Sequence, residues 1–301
     1  MNYVLITPAR NEAANIERTM QCVIAQTLRP VRWLIVNDGS NDTTADIVRK
    51  YLQEHSWIEL VDMPHHRDRS FAAKAHCFNA GYERVKPLAF DVIGNLDADL
   101  SFEPDYFEFL MRKFTDDPTI GVAGTIFRED GYSSETNSFE GEQHVAGGAQ
   151  MFRRHCFEAV GGYVPNKAGG VDWIAVTTAR MLGWKTRSYR ERAFFHHRSL
   201  GTAERGRLAS AFSYGEKDYY LGNAPAWQIF RIAYRMTNRP YLIAGAALGL
   251  GYVSAAVRRI HRPVSPQLMR FHRREQMVKL KAILKSLLRL KRFDRFQPAS
   301  Q

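Results

Sequence analysis

The sequence contains few cysteines. Its 301 residues include three, Cys22, Cys77 and Cys156, which lie far apart along the chain. An odd number of thiols without metal-type spacing excludes a disulfide framework and a cysteine-based zinc module. Unpaired thiols are typical of a reducing cytoplasm. The first residues also lack the basic segment and the long apolar segment of a signal peptide, so we expect no secretion signal.

Acidic residues are scarce in one part of the chain only. Residues 258–301 carry 13 Lys and Arg against two Asp and Glu, whereas residues 1–257 carry 29 of each sign. The net charge of +11 therefore belongs to the C-terminal segment. A partner that binds to the positive charge of the protein is therefore expected to bind to that segment.

Hydrophobic residues make up 45% of the chain, as in a globular protein, and their pattern predicts alternating strands and helices over the first 127 residues. Apolar runs predict five strands, at residues 3–7, 33–36, 58–61, 92–96 and 120–127. Helical spacing predicts four helices between them, at residues 12–26, 43–52, 72–84 and 105–114. Asp42 is the expected N-cap of the second helix, and Pro104 is expected to open the fourth. This alternation predicts a mostly parallel open sheet flanked by helices.

The alternation ends after Arg128. Residues 129–142 are polar and rich in Ser and Glu, which predicts a mobile loop. Ordered structure is expected to resume at residues 147–154, in a helix at residues 172–182 that ends before Gly183, and in a strand from residue 184.

Three polar loops follow successive apolar strands. They are residues 8–12 (Pro-Ala-Arg-Asn-Glu), residues 37–44 (Asn-Asp-Gly-Ser-Asn-Asp-Thr-Thr) and residues 95–100 (Asn-Leu-Asp-Ala-Asp-Leu). The carboxyl ends of parallel strands meet at one edge of a sheet, where nucleotides bind in open α/β folds. Asp97 and Asp99, at one such end, suit a hard divalent cation held against a diphosphate. The three loops together predict a nucleotide site.

In this order the motifs resemble those of the family 2 glycosyltransferases, which have the GT-A fold. The resemblance covers roughly residues 3–202; besides the three loops it includes Lys74 with residues 79–81, residues 147–148, residues 160–163, Asp172 with Gly183, and His196. It implies an α/β GT-A catalytic domain at residues 1–202. The remaining residues, 203–301, resemble the helical, membrane-associated C-terminal regions of some bacterial members.

The resemblance implies a set of donor-binding residues: Pro8, Ala9, Glu12, Asp38, Gly39, Lys74, Asp97 and Ala98. Asp38 would accept hydrogen bonds from the base, and Asp97 would contact the ribose or the donor sugar. Ala73 stands where the family often has glycine. Without the other motifs, residues 38–40 would indicate a plain turn.

The resemblance also implies the metal ligands. Asp99 and His196 would hold Mn²⁺ or Mg²⁺ between the two phosphates, with His197 as the fallback for His196. An imidazole ligand suits Mn²⁺ better than Mg²⁺.

Asp172 is the implied general base, which removes the proton of an acceptor hydroxyl. It precedes Gly183 by eleven residues, the spacing that the family shows. The family commonly has Glu-Asp here with a further acid two positions on, whereas this chain has Val171 before Asp172 and Ile174 after it. Gly148 and Trp173 are expected on the acceptor side, although Trp173 fits an apolar core equally well. The polar loop at residues 129–142 is expected near the acceptor's entrance.

Residues 240–257 form an uncharged stretch with Gly245 and Gly249, a pair that can support close helix contact. Its 18 residues would reach about 27 Å as a helix, which is marginal for a bilayer core. Arginines flank it on both sides, which disfavours a single crossing. A buried core helix, an interfacial helix and a re-entrant hairpin remain open.

Residues 264–295 combine apolar positions at helical spacing with many Lys and Arg. Such a cationic amphipathic helix is typical of binding to an anionic membrane surface. The alternative is a solvated helix that packs on the domain through its leucines. Aromatic residues are scarce there, which favours lipid over nucleic acid.

The leading interpretation is an inverting, metal-dependent glycosyltransferase at the cytoplasmic face of the cell membrane, peripheral or monotopic. It would move a sugar from a nucleotide-diphosphate sugar to a lipid-linked or cell-surface glycan acceptor. The alternatives are a nucleotidyltransferase on a related fold and a non-catalytic nucleotide-sugar or nucleic-acid binder. Nucleotidyltransferases resemble one another in a glycine-rich first loop, and residues 8–12 contain no glycine.

Overall fold

The computed structural model describes residues 1–64, 71–137, 141–166, 169–198, 206–237 and 240–288. The chain divides into two compact units, Met1–Arg198 and Ser199–Gln301. The predicted domain boundary, between residues 202 and 203, lies outside the described residues and stays a prediction.

The first unit contains nine strands and seven helices in its described part. The strands are β1 (Tyr3–Ala9), β2 (Arg32–Asn37), β3 (Ile58–Asp62), β4 (Val92–Leu96), β5 (Leu100–Phe102), β6 (Ile120–Glu129), β7 (Tyr132–Ser133), β8 (Ala149–Arg153) and β9 (Lys185–His196). The helices are α1 (Ile16–Ile24), α2 (Thr44–Leu52), α3 (Phe71–Val85), α4 (Tyr106–Asp116), α5 (Ser134–Asn137), α6 (Arg154–Val160) and α7 (Val171–Met181).

All nine strands belong to one sheet, in the order β3-β2-β1-β4-β8-β6-β9-β5, with β7 paired to β6. Strands β1 to β4 are parallel to one another, as predicted. Strand β8 then runs antiparallel between β4 and β6, so the whole sheet is more mixed than predicted.

The sheet separates two apolar layers. Successive residues of β1 point to opposite faces: Leu5 joins a cluster with Met20 of α1, whereas Ile6 joins a cluster with Phe78 of α3 and Phe157 of α6. A strand that is buried on both faces needs a continuous apolar run, which explains why β1 was predictable from the sequence.

Local hydrogen bonds correct three sequence predictions. The N-cap of α2 is Thr43; Asp42 instead accepts a hydrogen bond from the Thr44 backbone N–H at 3.0 Å. Pro104 precedes the N-cap Asp105 of α4 and does not open the helix. The region predicted as a mobile loop, residues 129–142, contains β7 and α5 in its described part. The Ser134 hydroxyl accepts a hydrogen bond from the Phe127 backbone N–H at 2.9 Å, which anchors this segment to β6.

The described part of the second unit is helical: α8 (Arg207–Tyr220), α9 (Pro225–Met236), α10 (Ile243–Val257) and α11 (Pro266–Leu288). Glycines bring α10 close to its neighbours. A Cβ at Gly251 would lie 2.0 Å from the Phe212 carbonyl oxygen of α8, and one at Gly245 would lie 2.7 Å from the Ile232 carbonyl oxygen of α9. One face of α10 therefore packs against two helices. None of the helices in the described ranges is long and apolar enough to span a bilayer.

Helix α11 covers most of the predicted amphipathic tail, whose residues 289–295 lie outside the described ranges. Leu280 and Ile283 are buried, whereas Leu284 is 49% exposed and Leu288 is 87% exposed. Part of the apolar side of this helix is thus buried, and the predicted contact of the tail with a membrane stays a prediction.

Candidate active site

The parallel pairing of β1 with β2 brings two of the predicted loops together. The Asp38 backbone N–H donates to the Ala9 carbonyl oxygen at 2.8 Å, and the Asn11 backbone N–H donates to the Ser40 hydroxyl at 3.0 Å. The Glu12 backbone N–H donates to the Thr44 hydroxyl at 2.8 Å. These bonds join the first two loops into one surface at the carboxyl edge of the sheet.

The third loop supplies two members of a cluster of three potential metal ligands. Asp97 and Asp99 lie between β4 and β5, and β5 pairs with the end of β9 so that Leu100 is opposite His196. One ligand atom from each of Asp97, Asp99 and His196 lies within 4.8 Å of the other two. Residues that are almost a hundred positions apart in sequence therefore converge.

The donor set fits a divalent cation. Asp99 and His196 are buried, with 6% and 7% of their surface exposed. Burial, and then the neighbouring Asp97 carboxylate, raises the pKa of Asp99. A bound cation would relieve both effects, because it compensates the loss of water and the repulsion between carboxylates. Two carboxylates and one imidazole are a usual ligand set for such an ion.

His197, the fallback ligand, lies in a different setting. Its Nε2 atom is 2.8 Å from the Ser101 hydroxyl, and its ring contacts Phe195. Burial, and then the charges of Arg18 and His196, lowers the pKa of His197. The geometry favours His196 over His197 as the metal ligand.

Lys74 reaches the same cluster from helix α3. Its Nζ atom is 2.5 Å from Asp97 Oδ1. Burial alone would lower the pKa of Lys74, but the surrounding carboxylates, Asp97 first and then Asp172 and Asp99, raise it. Lys74 is therefore held as a cation beside the predicted diphosphate position.

Asp172 lies against the backbone of a glycine whose loop is bonded to the strand end that bears the cluster. The Asn95 side-chain amide donates to the Gly147 carbonyl oxygen at 2.5 Å, and the Asp97 backbone N–H donates to the Gly148 carbonyl oxygen at 2.7 Å. A Cβ at Gly147 would lie 2.7 Å from the Cβ of Asp172. The loop that binds the end of β4 thus also contacts the predicted base.

Asp172 lies in the first turn of α7, after an N-cap glycine, Gly170, with φ of +80°. The positive end of the helix dipole favours a carboxylate there. The next residue, Trp173, is 7% exposed, which leaves little of its ring for contact with a sugar. Its predicted place on the acceptor side stays a prediction, as does that of Gly148, whose Cβ would lie 3.1 Å from the Phe194 ring.

The donor-side acids have partners that the sequence did not indicate. Glu12 forms a two-point ion pair with Arg198, at 2.8 and 2.9 Å. Asp38 is buried beside Arg10 at 3.5 Å and accepts a hydrogen bond from the Cys77 thiol at 3.1 Å. The remaining predicted donor residues, Pro8, Ala9, Gly39 and Ala98, lie in these same loops. Their roles stay predictions.

Glu129, at the end of β6, is a further residue missed by sequence reasoning. Its Oε1 atom lies 3.9 Å from His196 Nδ1, and both side chains are buried. The Nδ1 atom has no hydrogen-bond partner within the described part of the chain. Ligating histidines commonly direct their second nitrogen to a carboxylate, and the Glu129 carboxylate lies near this nitrogen, although beyond hydrogen-bond distance. The only signal in the sequence was one acid among several in a polar segment.

Comparison with known families agrees with this geometry. The family model described as glycosyl transferase family 2 matches residues 4–166, more than half of the chain. The chain belongs to this family. Its members are glycosyltransferases, and the predicted enzyme class is thereby confirmed. The use of a nucleotide-sugar donor stays a prediction.

Curated relatives align with part of the chain. The poly-β-1,6-N-acetyl-D-glucosamine synthase of Staphylococcus aureus strain COL is 32% identical over 112 residues, which are 37% of this chain and 25% of that protein. The chondroitin synthase of Pasteurella multocida strain Pm70 is 30% identical over 121 residues, 40% of this chain and 12% of that protein. The matches span a quarter or less of these relatives' length.

Solved structures show the same fold. Residues 1–349 of TarS from S. aureus, in complex with UDP-GlcNAc, have a TM-score of 0.59 at 12% identity, covering 97% of this chain and 93% of that one. The mannosyltransferase PcManGT from Pyrobaculum calidifontis, in complex with GDP-Man and Mn²⁺, has a TM-score of 0.57 at 18% identity, covering 95% and 87%. The predicted GT-A fold is confirmed.

Proposed function

We propose that the protein is an inverting, metal-dependent glycosyltransferase that uses Asp172 as its base. The observation that carries this proposal is the contact between Gly147 and Asp172, since the same loop is bonded to the strand end that bears Asp97 and Asp99. A base and a set of metal ligands thus share one edge of the sheet.

Each residue has a task in a single displacement. Asp99 and His196 would hold Mn²⁺ or Mg²⁺, which supplies positive charge to the departing diphosphate. Lys74 adds a second positive charge beside Asp97. Asp172 accepts the proton of the acceptor hydroxyl while that oxygen bonds to the anomeric carbon. The bond from this carbon to the phosphate oxygen breaks, and the nucleoside diphosphate leaves with the electron pair. Attack from the opposite face inverts the configuration.

The proposed acceptor is a hydroxyl of a lipid-linked or cell-surface glycan. Two relatives are named as synthases of polysaccharides, poly-β-1,6-N-acetyl-D-glucosamine and chondroitin, which supports a glycan as the acceptor. We place the protein at the cytoplasmic face of the cell membrane, peripheral or monotopic. The support is charge: residues 199–301 carry 19 Lys and Arg against five Asp and Glu, which favours an anionic surface. Nucleic acid is not an expected partner.

A thermal-shift panel tests the donor site. UDP, GDP, CDP and dTDP, with their common sugars, are each added with Mn²⁺, with Mg²⁺ and without metal. We expect one nucleotide class to raise the melting temperature in a metal-dependent way, because a ligand stabilises the form that it binds. Asp99→Asn should abolish the metal dependence, whereas Asp116→Asn, at an exposed acid of α4, is the matched control.

The same protein is then incubated with the stabilising nucleotide sugar and extracted lipid-linked glycans. Release of nucleoside diphosphate supports transfer of the sugar, whereas release of sugar 1-phosphate would indicate transfer of the nucleotidyl group and hence a nucleotidyltransferase. Donor binding with no turnover on any glycan would favour the non-catalytic binder.

A further inference from the structure

The outward face of helix α10 is formed by aliphatic side chains. Ile243, Leu250, Val253 and Val257 are 55%, 65%, 57% and 77% exposed, and we call these four residues the outer stripe. Their spacing places them on one side of the helix, with the exposed Ala246 between the first two. Single exposed aliphatic residues are ordinary, but a continuous row of them marks a contact surface.

The opposite face of the same helix is packed. Ala244, Leu248 and Ala255 are buried, and the close approach at Gly251 holds α10 against α8. The outer stripe is therefore not a core face that has been left open by chance. More than half of each of these four side chains is exposed, so the packing of the described fold does not by itself require them to be apolar.

We propose that the outer stripe is the surface by which the protein enters the lipid bilayer, with α10 lying parallel to the membrane plane. The proposal rests on the membrane location proposed above and assigns it to particular residues. Among the alternatives that the sequence left open for residues 240–257, it selects the interfacial helix. In the basic tail, Leu280 and Ile283 of α11 are buried and cannot contact lipid.

The length and the charge of α10 favour lipid as the partner of the outer stripe. Fifteen residues of α-helix reach about 22 Å, less than the roughly 30 Å of a hydrocarbon core, so α10 suits the interface and not a crossing. No charged residue occurs in residues 240–257, while Arg258 and Arg259 follow directly. Tyr241, 58% exposed, lies just before the helix, and tyrosine is favoured at the level of lipid headgroups.

A second copy of the chain fits the stripe less well. Two copies meeting through the same face would bring their basic residues together, and residues 199–301 carry 19 basic against five acidic side chains. An anionic bilayer offers the opposite charge beside the apolar phase. We therefore favour lipid, and we treat self-association as an outcome of the test.

The test is co-flotation of the full chain with vesicles of phosphatidylcholine and phosphatidylglycerol. Wild type is compared with the double variant Leu250→Gln, Val253→Gln, and with the control Leu182→Gln, Val31→Gln. The control residues are 49% and 42% exposed and belong to the first unit. We expect the stripe variant to bind at least about tenfold more weakly, because two large apolar side chains no longer leave water. The control should bind like wild type.

The outcomes separate the two levels of the proposal. If the wild-type protein does not float with the vesicles, the proposed membrane location is wrong. The donor-dependent thermal shift tests the proposed transferase function independently. Equal flotation of wild type and the stripe variant would overturn the assignment to the outer stripe only. If sedimentation velocity shows that the stripe variant loses an oligomer while its flotation is unchanged, the stripe is an interface between copies. Unchanged melting and donor-induced shifts of the variant show that it is folded.

Discussion

The candidate active site in the first unit buries carboxylates, whereas helix α10 of the second unit exposes aliphatic side chains. Asp38 and Asp99 are each 6% exposed, while Leu250 and Val257 are 65% and 77% exposed. A buried carboxylate needs an opposite charge or several hydrogen bonds, since the loss of water is otherwise too costly. An exposed row of aliphatic residues also raises the free energy of the protein in water, by an amount that grows with the exposed apolar area.

The two regions differ in how far the chain itself compensates these costs. Asp38 has Arg10 at 3.5 Å and the Cys77 thiol at 3.1 Å. At Asp99 the compensation is incomplete, because burial and Asp97 raise its pKa despite the charges nearby. The comparison teaches that binding surfaces are to be sought at uncompensated positions. In one unit these positions carry the proposed site for a cation and a diphosphate, and in the other they form the proposed lipid contact.

The largest expected effect concerns the base. Asp172→Asn should lower the transfer rate by about 10²- to 10⁴-fold, the usual contribution of a general base, with little change in donor affinity. Asparagine has nearly the same size, so the contact with Gly147 remains. Turnover is measured by release of nucleoside diphosphate, and binding by thermal shift. If the variant keeps its rate, another residue is the base, and the contact with Gly147 has no role in the reaction.

The contribution of Glu129 is expected to be smaller and specific to the metal. Glu129→Leu should weaken Mn²⁺ binding by about 10- to 100-fold, because His196 loses the carboxylate near its Nδ1 atom, and such outer carboxylates commonly support a ligating histidine. Glu129→Gln, which keeps an acceptor oxygen, should lose less. Mn²⁺ is titrated into metal-free protein and the free ion is counted by electron paramagnetic resonance, with Asp116→Asn as the control. Equal affinities for all variants would assign Glu129 to another role.

The two faces of α10 allow a direct comparison of packing. Alanine favours a helix over glycine by about 1 kcal/mol, yet a Cβ at Gly251 would lie 2.0 Å from a backbone oxygen of α8. Overpacking costs typically about 1–3 kcal/mol, so Gly251→Ala should lower the free energy of unfolding. Ala246→Leu, on the exposed side, should change it by less than about 0.5 kcal/mol. Denaturant unfolding followed by circular dichroism measures both, and a stabilised Gly251→Ala would contradict the close approach.

The smallest effect concerns the thiols. Burial raises the pKa of Cys156 to about 12, and it raises the pKa of Cys77 still further. At pH 8 both thiols stay protonated in the folded protein, whereas Cys22 is partly exposed. We therefore expect one thiol to react with a maleimide in the native protein and three after denaturation, as counted by mass spectrometry. Rapid labelling of Cys77 would indicate that the region around Asp38 opens.

The sequence allowed much of the first unit to be predicted. Strands β1, β2 and β4 are buried on both faces, and so their apolar runs stand out. The loops after them carry Glu12, Asp38 and Asp99, whose types and order indicated nucleotide and metal chemistry. Patterns of this kind involve residues that are close together in sequence, so they can be recognised from the sequence alone.

Other features depend on residues that are distant in sequence. The pair between Glu12 and Arg198 joins positions that are 186 residues apart, and no local pattern announces it. The orientation of α10 was hidden for another reason. Its residues are uniformly small or apolar, so periodicity does not distinguish the face that packs from the face that is exposed.

The contact between Gly147 and Asp172 also has an evolutionary consequence. The proposed base contacts the backbone of Gly147, and this loop is hydrogen-bonded to the end of β4. The position of the proposed base is therefore not expected to depend on which side chains surround the acceptor. Position 174, where this chain has Ile174, and the segment of residues 130–142, after Glu129, are then expected to be free to diversify toward new acceptors. Position 147 is not, since any side chain there would displace the base. Such a division lets one catalytic geometry serve many linkages.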